Sequence, residues 1–212
     1  MLARLTVAAI GNALASGQQA EDVQGCDDRI PERCAAVALI VHEGVDGLSV
    51  LLIERTKSEQ DPWSGHVAFP GGRYDAGDRS LLCTAVREAH EEVGLDLEQH
   101  ATCLGRLPDV AAVSRGRRLN LTIRPYVFHL HTLGALRPDP REVAATLWAN
   151  LDRLLSGNAD TCHRYRLAAT DGGGSVNYEL PAYEVQGRVV WGLTYTMLSG
   201  LLHRSTSVTV TL

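Results

Sequence analysis

Three glutamates, Glu88, Glu91 and Glu92, are the residues whose types and spacing most directly indicate chemistry. In a helix with 3.6 residues per turn, positions i, i+3 and i+4 lie on the same side. Like charges at this spacing repel one another, and negative charge near a helix C-terminus opposes the macrodipole. In the sequence, only Arg87 lies beside them to compensate. Because hard divalent cations take carboxylate oxygens as ligands, the cluster predicts a site for Mg²⁺, or alternatively Mn²⁺, whereas the structural alternative is a solvated helix face.

A helix with defined ends must position these glutamates. Asp75, Gly77 and Asp78 favour a turn in which Asp78 is the N-cap, and Gly94 suits the left-handed residue that ends a helix. The apolar stripe that would face the core consists of Leu81, Leu82, Ala85, Val86 and Ala89. We therefore expect a glycine loop, one helix of about four turns, and an acidic end that faces away from the core.

The segment 70–95 resembles the Nudix box, Gly-x5-Glu-x7-Arg-Glu-apolar-x-Glu-Glu-x-Gly-apolar. The residues that match its second half are Arg87, Glu88, Ala89, Glu91, Glu92, Gly94 and Leu95. In the first half, Gly72 is followed after five residues by Asp78 instead of Glu, and eight residues instead of seven separate Asp78 from Arg87. The resemblance leaves open whether Asp78 reaches Arg87 in an ion pair.

Residues 51–72 narrow the resemblance to the coenzyme A pyrophosphatase branch of the Nudix hydrolases. That branch pairs Leu-Leu-x-x-Arg-Ser/Thr with Gly-x-Val-x-Phe-Pro-Gly-Gly, and it also has Asp with the longer spacing at the position of Asp78. The matching residues are Leu51, Leu52, Arg55, Thr56, Gly65, Val67, Phe69, Pro70, Gly71 and Gly72. The usual His-x-Gly-Gln of the branch is replaced by Trp63, Ser64, Gly65 and His66. Coenzyme A or a derivative is the substrate that this resemblance favours.

The resemblance implies an α/β fold, a Nudix-type α/β/α sandwich with a mixed β-sheet. It also implies metal-dependent hydrolysis of the diphosphate of a nucleoside diphosphate linked to another moiety. The expected catalytic residues are Arg87, Glu88, Glu91 and Glu92, and the expected metal ligands are Glu88, Glu91, Glu92 and the carbonyl of Gly71. Arg87 would orient the glutamates. The general base is left open between these glutamates and an acid from a later loop, such as Glu142.

Substrate contacts are expected at Arg55, His66, Arg73 and Arg115, because guanidinium groups match phosphoryl oxygens and His66 lies near the presumed site. Arg115 lies in a loop before a strand, where a solvated turn is an equally good interpretation. The residues expected to act structurally within the motif are Gly72, Asp78 and Gly94. The segment 180–191 is expected to form a wall of the site.

Length and composition suit a single globular enzyme, and the resemblance implies that its partner is a small-molecule nucleotide. The chain has 212 residues, of which 45% are hydrophobic, and its net charge of −5 argues against a nucleic-acid binder. Five cysteines, an odd number without close pairing, indicate reduced thiols and a cytoplasmic location. Because no apolar run approaches the roughly 18 residues of a membrane span, no membrane insertion is expected.

We expect three regions: an N-terminal helix and linker over 1–34, a Nudix hydrolase domain over 35–205, and a tail over 206–212. The N-terminal helix, over 2–15, would pack on the domain or on a second subunit, and a homodimer is reasonable for this fold. The expected strands are 35–41 and 48–53 (a hairpin), 67–69, 102–107, 119–130, 164–167, 179–185 and 188–191. Residues 142–155 are expected to be helical in part, with Trp148 near a strand-to-helix junction. Residues 194–203 are expected to form an apolar closing helix.

Three other functions remain open. One is a Nudix hydrolase of another nucleotide, such as ADP-ribose, NADH or a dinucleoside polyphosphate. A second is a diphosphate isomerase, which would need a catalytic cysteine, whereas Cys83 lies away from the acidic end of the helix. The third is a ligand-binding regulator without catalysis, which the intact glutamate set disfavours.

Overall fold

A mixed eight-stranded sheet forms the centre of the protein. The computed structural model describes residues 4–17, 33–58, 63–114, 117–168 and 175–207. The strands of this sheet are β1 (Cys34–Gly44), β2 (Gly47–Arg55), β3 (Val67–Ala68), β4 (Gly71–Arg73), β5 (Ala101–Arg106), β6 (Val110–Ser114), β7 (Arg117–Leu130) and β8 (Val143–Asn150). The order is β3-β2-β1-β7-β5, while β4 pairs with β1, β6 with β7, and β8 with β2. The pairing of β1 with β7 is parallel and the others are antiparallel, so the predicted mixed sheet is confirmed.

Strand β1 lies inside the sheet and is apolar on both faces, as expected for a strand covered from two sides. Ala36, Ala38 and Ile40 pack on one face, and Leu39 and Val41 pack on the other. The predicted hairpin with β2 is confirmed, with Val41 opposite Val50. Because side chains alternate between faces along a strand, this one segment supplies both halves of the core.

Helices cover both faces of the sheet. They are α1 (Val7–Gly17), α2 (Leu81–Val93), α3 (Leu97–His100), α4 (Leu151–Leu155) and α5 (Gly192–Ser207). Helices α2 and α3 contribute to the cluster that contains Ile40, whereas α1, α4 and α5 contribute to the cluster that contains Leu39. The α/β/α sandwich predicted from the resemblance is therefore confirmed. Among the helices in the described ranges, none has both the length and the apolar character needed to cross a bilayer.

A second, three-stranded antiparallel sheet precedes α5. It consists of β9 (Asp160–Ala168), β10 (Ser175–Val185) and β11 (Arg188–Val190), in the order β11-β10-β9. The predicted strands in this region are confirmed, but β9 and β10 are longer than expected. Tyr165 lies opposite Tyr178, and His163 lies opposite Leu180.

Residues 142–155 are helical in part, and the strand-to-helix junction lies near Trp148, as expected. Strand β8 takes up most of the segment, and only Leu151–Leu155 is helical. The junction lies at Asn150, whose side chain accepts a hydrogen bond from the backbone N–H of Arg153 at 2.8 Å and so caps the short helix. Pairing with β2 along its length explains why β8 stays extended, since Trp148 lies opposite Leu51.

Helix α1 packs on the body of the protein. Its predicted span of 2–15 is shifted to Val7–Gly17. Ile10 and Leu14 are buried in the core cluster that also contains Leu198 and Leu201 of α5. The linker over 18–32 and the residues after 207 lie outside the described residues, and the three region boundaries stay predictions.

Candidate metal and substrate site

Helix α2 presents the glutamates and has well-defined ends. Ser80, not Asp78, is the N-cap: its Oγ accepts a hydrogen bond from the N–H of Cys83 at 3.2 Å. At the other end Gly94 has a φ of 72°, and a Cβ at this position would lie 2.9 Å from the Cβ of Arg137. The predicted helix and its glycine stop are confirmed, whereas the predicted cap is wrong. The extra residue between Asp78 and Arg87 moves the capping role to Ser80.

Asp78 instead forms the ion pair that the sequence left open. Arg87 donates from Nε to Asp78 Oδ1 at 2.9 Å and from Nη2 to Asp78 Oδ2 at 3.0 Å. The hydroxyl of Thr84 also donates to Asp78 Oδ2, at 2.8 Å. The hydrogen bonds from Arg87 lower the pKa of Asp78 to about 2. This two-point contact fixes the turn before α2 against the middle of the helix.

Arg87 joins the turn, the helix and strand β4. Its Nη1 donates to Glu88 Oε1 at 3.0 Å and to Glu91 Oε2 at 2.9 Å, and its Nη2 donates to the carbonyl oxygen of Arg73 at 3.2 Å. One guanidinium thus contacts two of the three glutamates directly. This contact offsets their mutual repulsion and supports the predicted orienting role.

The three glutamates lie at different depths, contrary to the expectation that the acidic end faces away from the core. The side chain of Glu92 is 1% exposed, that of Glu88 13%, and that of Glu91 53%. Glu92 Oε2 accepts a hydrogen bond from the N–H of Gly71 at 2.8 Å, and Glu92 Oε1 lies 3.6 Å from Arg55 Nη1. Burial nevertheless raises the pKa of Glu92 to about 8, and it also raises the pKa of Glu88.

A later loop adds a third carboxylate to this site. Oxygens of Glu88, Glu92 and Glu142 lie within 4.8 Å of one another, and among the described residues no other cluster of potential metal ligands is this compact. The N–H of Asp139 donates to the carbonyl of Glu92 at 3.0 Å, and this bond attaches the loop to the end of α2. Glu91 is not part of the cluster.

The glycine pair lets β4 approach the helix closely. A Cβ at Gly72 would collide with the carboxylate of Glu88, and a Cβ at Gly71 would collide with the backbone oxygen of Ala36. Only glycine therefore fits between β1 and the glutamates. The N–H of Gly71 binds Glu92, while a role for its carbonyl as a metal ligand stays a prediction.

The donor set fits a hard divalent cation. All three ligands in the cluster are carboxylates, and two of them have raised pKa values because their charged forms are poorly solvated. A cation placed among Glu88, Glu92 and Glu142 would stabilise those charged forms. Magnesium needs few protein carboxylates, since it keeps several water ligands.

A cavity of about 590 Å³ opens beside the carboxylates. Three of the predicted substrate contacts, Arg55, His66 and Arg73, line it, whereas the predicted contact Arg115 lies outside the described residues. Sequence reasoning did not single out Trp63 as a binding residue, and it expected only a wall around Trp191. Both tryptophans line the cavity.

Comparisons with known proteins agree on one family. The family model described as NUDIX domain matches residues 32–169. The mitochondrial coenzyme A diphosphatase NUDT8 of Mus musculus is 32% identical over 85% of this chain and 86% of its own length. An uncharacterised protein of Schizosaccharomyces pombe is 40% identical over 53% of this chain, but the match spans only 35% of that longer protein. A Nudix hydrolase of M. smegmatis, RenU, matches with a TM-score of 0.50 at 20% identity, covering 85% of this chain and 88% of that one, which bears on the fold alone.

Proposed function

This chain is a hydrolase of the NUDIX family, and from that premise we propose that it cleaves the diphosphate of coenzyme A or a coenzyme A derivative with the help of a divalent cation. The observation that carries the proposal is the cluster of Glu88, Glu92 and Glu142 beside a cavity that Arg55 and Arg73 also line. Carboxylates for a cation and guanidinium groups for phosphoryl oxygens are the two kinds of group that a diphosphate substrate requires.

Glu88, Glu92 and Glu142 would hold the cation, for which we propose Mg²⁺ with Mn²⁺ as the alternative. Glu91 stays our prediction for a second cation. A bound cation would neutralise phosphoryl oxygens and lower the pKa of a water molecule.

The chain's own residues divide the remaining work. Arg87 holds Glu88 in place through its Nη1, and Gly71 holds Glu92 through its N–H. Arg55 and Arg73 line the cavity, where they can bind the phosphoryl oxygens and orient the diphosphate for attack by water. Glu142 is the exposed member of the cluster, so we propose it as the base that takes a proton from the attacking water.

Two observations support coenzyme A as the substrate. The segment from Leu51 to Gly72 resembles the coenzyme A branch, and Arg55 and Gly71 of that segment both line the cavity. The mouse relative, which matches over most of both chains, is named a coenzyme A diphosphatase.

We also propose a cytoplasmic location and a homodimer. The described cysteines Cys83, Cys103 and Cys162 are thiols and not halves of disulfides, which supports a reducing compartment. Size-exclusion chromatography with light scattering would test the dimer.

The function is tested by a substrate panel. Coenzyme A, ADP-ribose, NADH and a dinucleoside polyphosphate are each incubated with the protein and Mg²⁺ or Mn²⁺, and the released nucleotides are separated by chromatography. We expect coenzyme A to have the highest kcat/KM and a chelator to abolish turnover. Faster cleavage of another panel member would refute coenzyme A as the preferred substrate. Tight binding of one member without turnover of any would favour a ligand-binding regulator.

Glu92→Gln tests the cation site within the same assay. Removing the buried carboxylate should lower metal-dependent kcat/KM by roughly 100-fold or more, because the cation loses a central ligand. Circular dichroism checks that the variant is folded. Glu98→Gln, an exposed glutamate on α3, is the matched control. Near-normal turnover by folded Glu92→Gln would refute the cation site.

A further inference from the structure

Four aromatic rings from three separate segments meet beside the cavity, and two of them line it. The ring of Trp191 stacks on that of His163, with centroids 3.9 Å apart and an angle of 13° between the planes. His66 lies 4.9 Å from Trp191, and Tyr165 lies 5.5 Å from it. We call these four residues the ring strip. Trp191 and His66 line the cavity that also contains Glu88 and Glu92, so the strip and the carboxylates border one space.

Side chains that alternate between the two faces of the second sheet bring part of this strip together. His163 and Tyr165 are two residues apart on β9 and therefore project from the same face of the sheet. Trp191 follows β11 directly and precedes Gly192, whose φ of 63° is left-handed and turns the chain into α5. Thr194 then donates from Oγ1 to the carbonyl of Val67 at 2.9 Å, which ties the start of α5 to β3 at the cavity.

The chemistry of the strip suits a flat, weakly polar ring. Burial lowers the pKa of His163, so this imidazole is neutral at physiological pH and stacks as an aromatic ring. Indole, imidazole and phenol faces attract the π-face of a nucleobase. Other parts of the cavity lining are aliphatic and include Leu121, Ile123 and Met197.

We propose that Trp191 and His66, the two rings of the strip that line the cavity, form the subsite for the purine base in the nucleotide half of the substrate. His163 and Tyr165 hold Trp191 in place. The inference rests on the proposed function, because it places one half of a nucleotide diphosphate whose phosphates lie at the carboxylates. A purine presents two flat faces and polar edges, which match aromatic rings bearing ring nitrogens. An alkyl chain would gain more from the aliphatic residues of the lining.

The test compares two ligands that share a diphosphate-like group but differ in the base. The α,β-methylene analogue of ADP carries adenine, methylenediphosphonate does not, and neither is hydrolysed at the bridge. Both are titrated calorimetrically into the full-length protein with Mg²⁺. Trp191→Leu should weaken binding of the ADP analogue by roughly 10- to 100-fold, the usual loss when a stacking ring is removed. Binding of methylenediphosphonate should change by less than about twofold, because independent contacts contribute additively.

Three further variants keep the result interpretable. Trp191→Phe retains a ring and should keep most of the affinity for the ADP analogue. Trp148→Leu is the matched control, since Trp148 also lies beside a histidine ring, that of His42, but is outside the cavity lining, and it should leave both affinities unchanged. If Trp191→Leu does not fold, His66→Leu replaces it, with a smaller loss expected for the ADP analogue only.

The proposal is overturned if folded Trp191→Leu binds the ADP analogue as tightly as the original protein, or loses affinity for both ligands equally. Its failure can be told from failure of the proposed function. If the protein binds the ADP analogue through Trp191 but does not cleave coenzyme A, the base subsite is supported and the proposed substrate is wrong. If the protein cleaves coenzyme A but Trp191→Leu does not change the affinity for the ADP analogue, the proposed function is supported and only the base subsite is wrong.

Discussion

Glu92 is buried, although the charged residues next to it in the sequence indicate an exposed acidic end of the helix. Glu91 and Glu92 are adjacent, yet one is half exposed and the other is buried. Adjacent helical residues point about 100° apart, so they can face water and protein respectively. Glu92 is tolerated inside because Gly71 donates to it and Arg55 lies near it. A buried carboxylate with a raised pKa beside a cavity is a feature of functional sites.

At this scale the structure predicts different roles for Glu142 and Glu91. Glu142→Gln should lower kcat/KM by roughly 10- to 1000-fold, because it removes a carboxylate of the cluster. Glu91→Gln should have a smaller effect, since Glu91 contacts Arg87 and lies outside the cluster. The effects of both substitutions are measured from initial rates across a magnesium titration. In Glu142→Gln, a raised half-saturating magnesium concentration reports the lost ligand, and a lower kcat at saturating magnesium reports the lost base. An equal or larger loss in Glu91→Gln would contradict the assignment.

Helix α2 and the turn before it form one unit at the scale of elements. Ser80 accepts a hydrogen bond from a backbone N–H in the first turn of the helix, and Asp78 reaches past it to Arg87 on the second turn. The insertion that separates this segment from the common form of the Nudix box thus divides two tasks between two residues. One caps the helix and the other holds the arginine that contacts the glutamates.

The Asp78–Arg87 pair should make stability depend on acid pH. The folded-state pKa of Asp78, about 2, lies below the usual value near 4, so its contribution is present above about pH 4 and is lost as the pH falls towards 2. Asp78→Asn should therefore reduce the free energy of unfolding by about 1–2 kcal/mol at pH 7, and by less at pH 3.

Urea unfolding at pH 7, 4 and 3 measures this difference. Asp46→Asn, an exposed aspartate in the β1–β2 turn, is the control and should change the free energy by less than about 0.5 kcal/mol at each pH. A difference between Asp78→Asn and the unmodified protein that is independent of pH would show that the ion pair contributes nothing as a charge.

At the scale of the whole molecule, α1 is part of the main core. Ile10 is fully buried, and the backbone N–H of Leu5 donates to Oδ1 of Asp152 on α4 at 2.9 Å. Helices α1 and α5 together cover the face of the sheet opposite α2. The N-terminal helix therefore supports α5, whose first residues border the cavity.

Ile10→Ala should consequently destabilise the whole protein. Removing a fully buried branched side chain costs about 2–5 kcal/mol, which for a chain of this size lowers Tm by roughly 4–20 °C. Differential scanning calorimetry measures the shift. Asn12→Ala, at an exposed position on the same helix, is the control. If the two variants melt at the same temperature, α1 does not contribute to the cooperative core.

Much of the architecture follows from local patterns in the chain. Alternation, helical periodicity and turn residues act within one turn or one strand. They determine the β1–β2 hairpin, helix α2 with its glycine stop, and the strands β3, β10 and β11. The same local spacing brings Glu88, Glu91 and Arg87 together. The wrong cap is also local in origin, since Ser80 and Asp78 are both suitable capping residues and lie two positions apart.

Three features depend on the tertiary structure alone: the burial of the Glu92 side chain, the position of Glu142 beside Glu88 and Glu92, and the formation of the ring strip. Glu142 lies fifty residues after Glu92 in the chain, and it reaches the site because β8 pairs with β2 and the preceding loop binds the end of α2. Trp191, His163 and His66 meet because the second sheet packs against β3. The physical reason is that a residue pattern specifies the direction of a side chain within its own element, whereas burial and distant contacts depend on how separate elements pack.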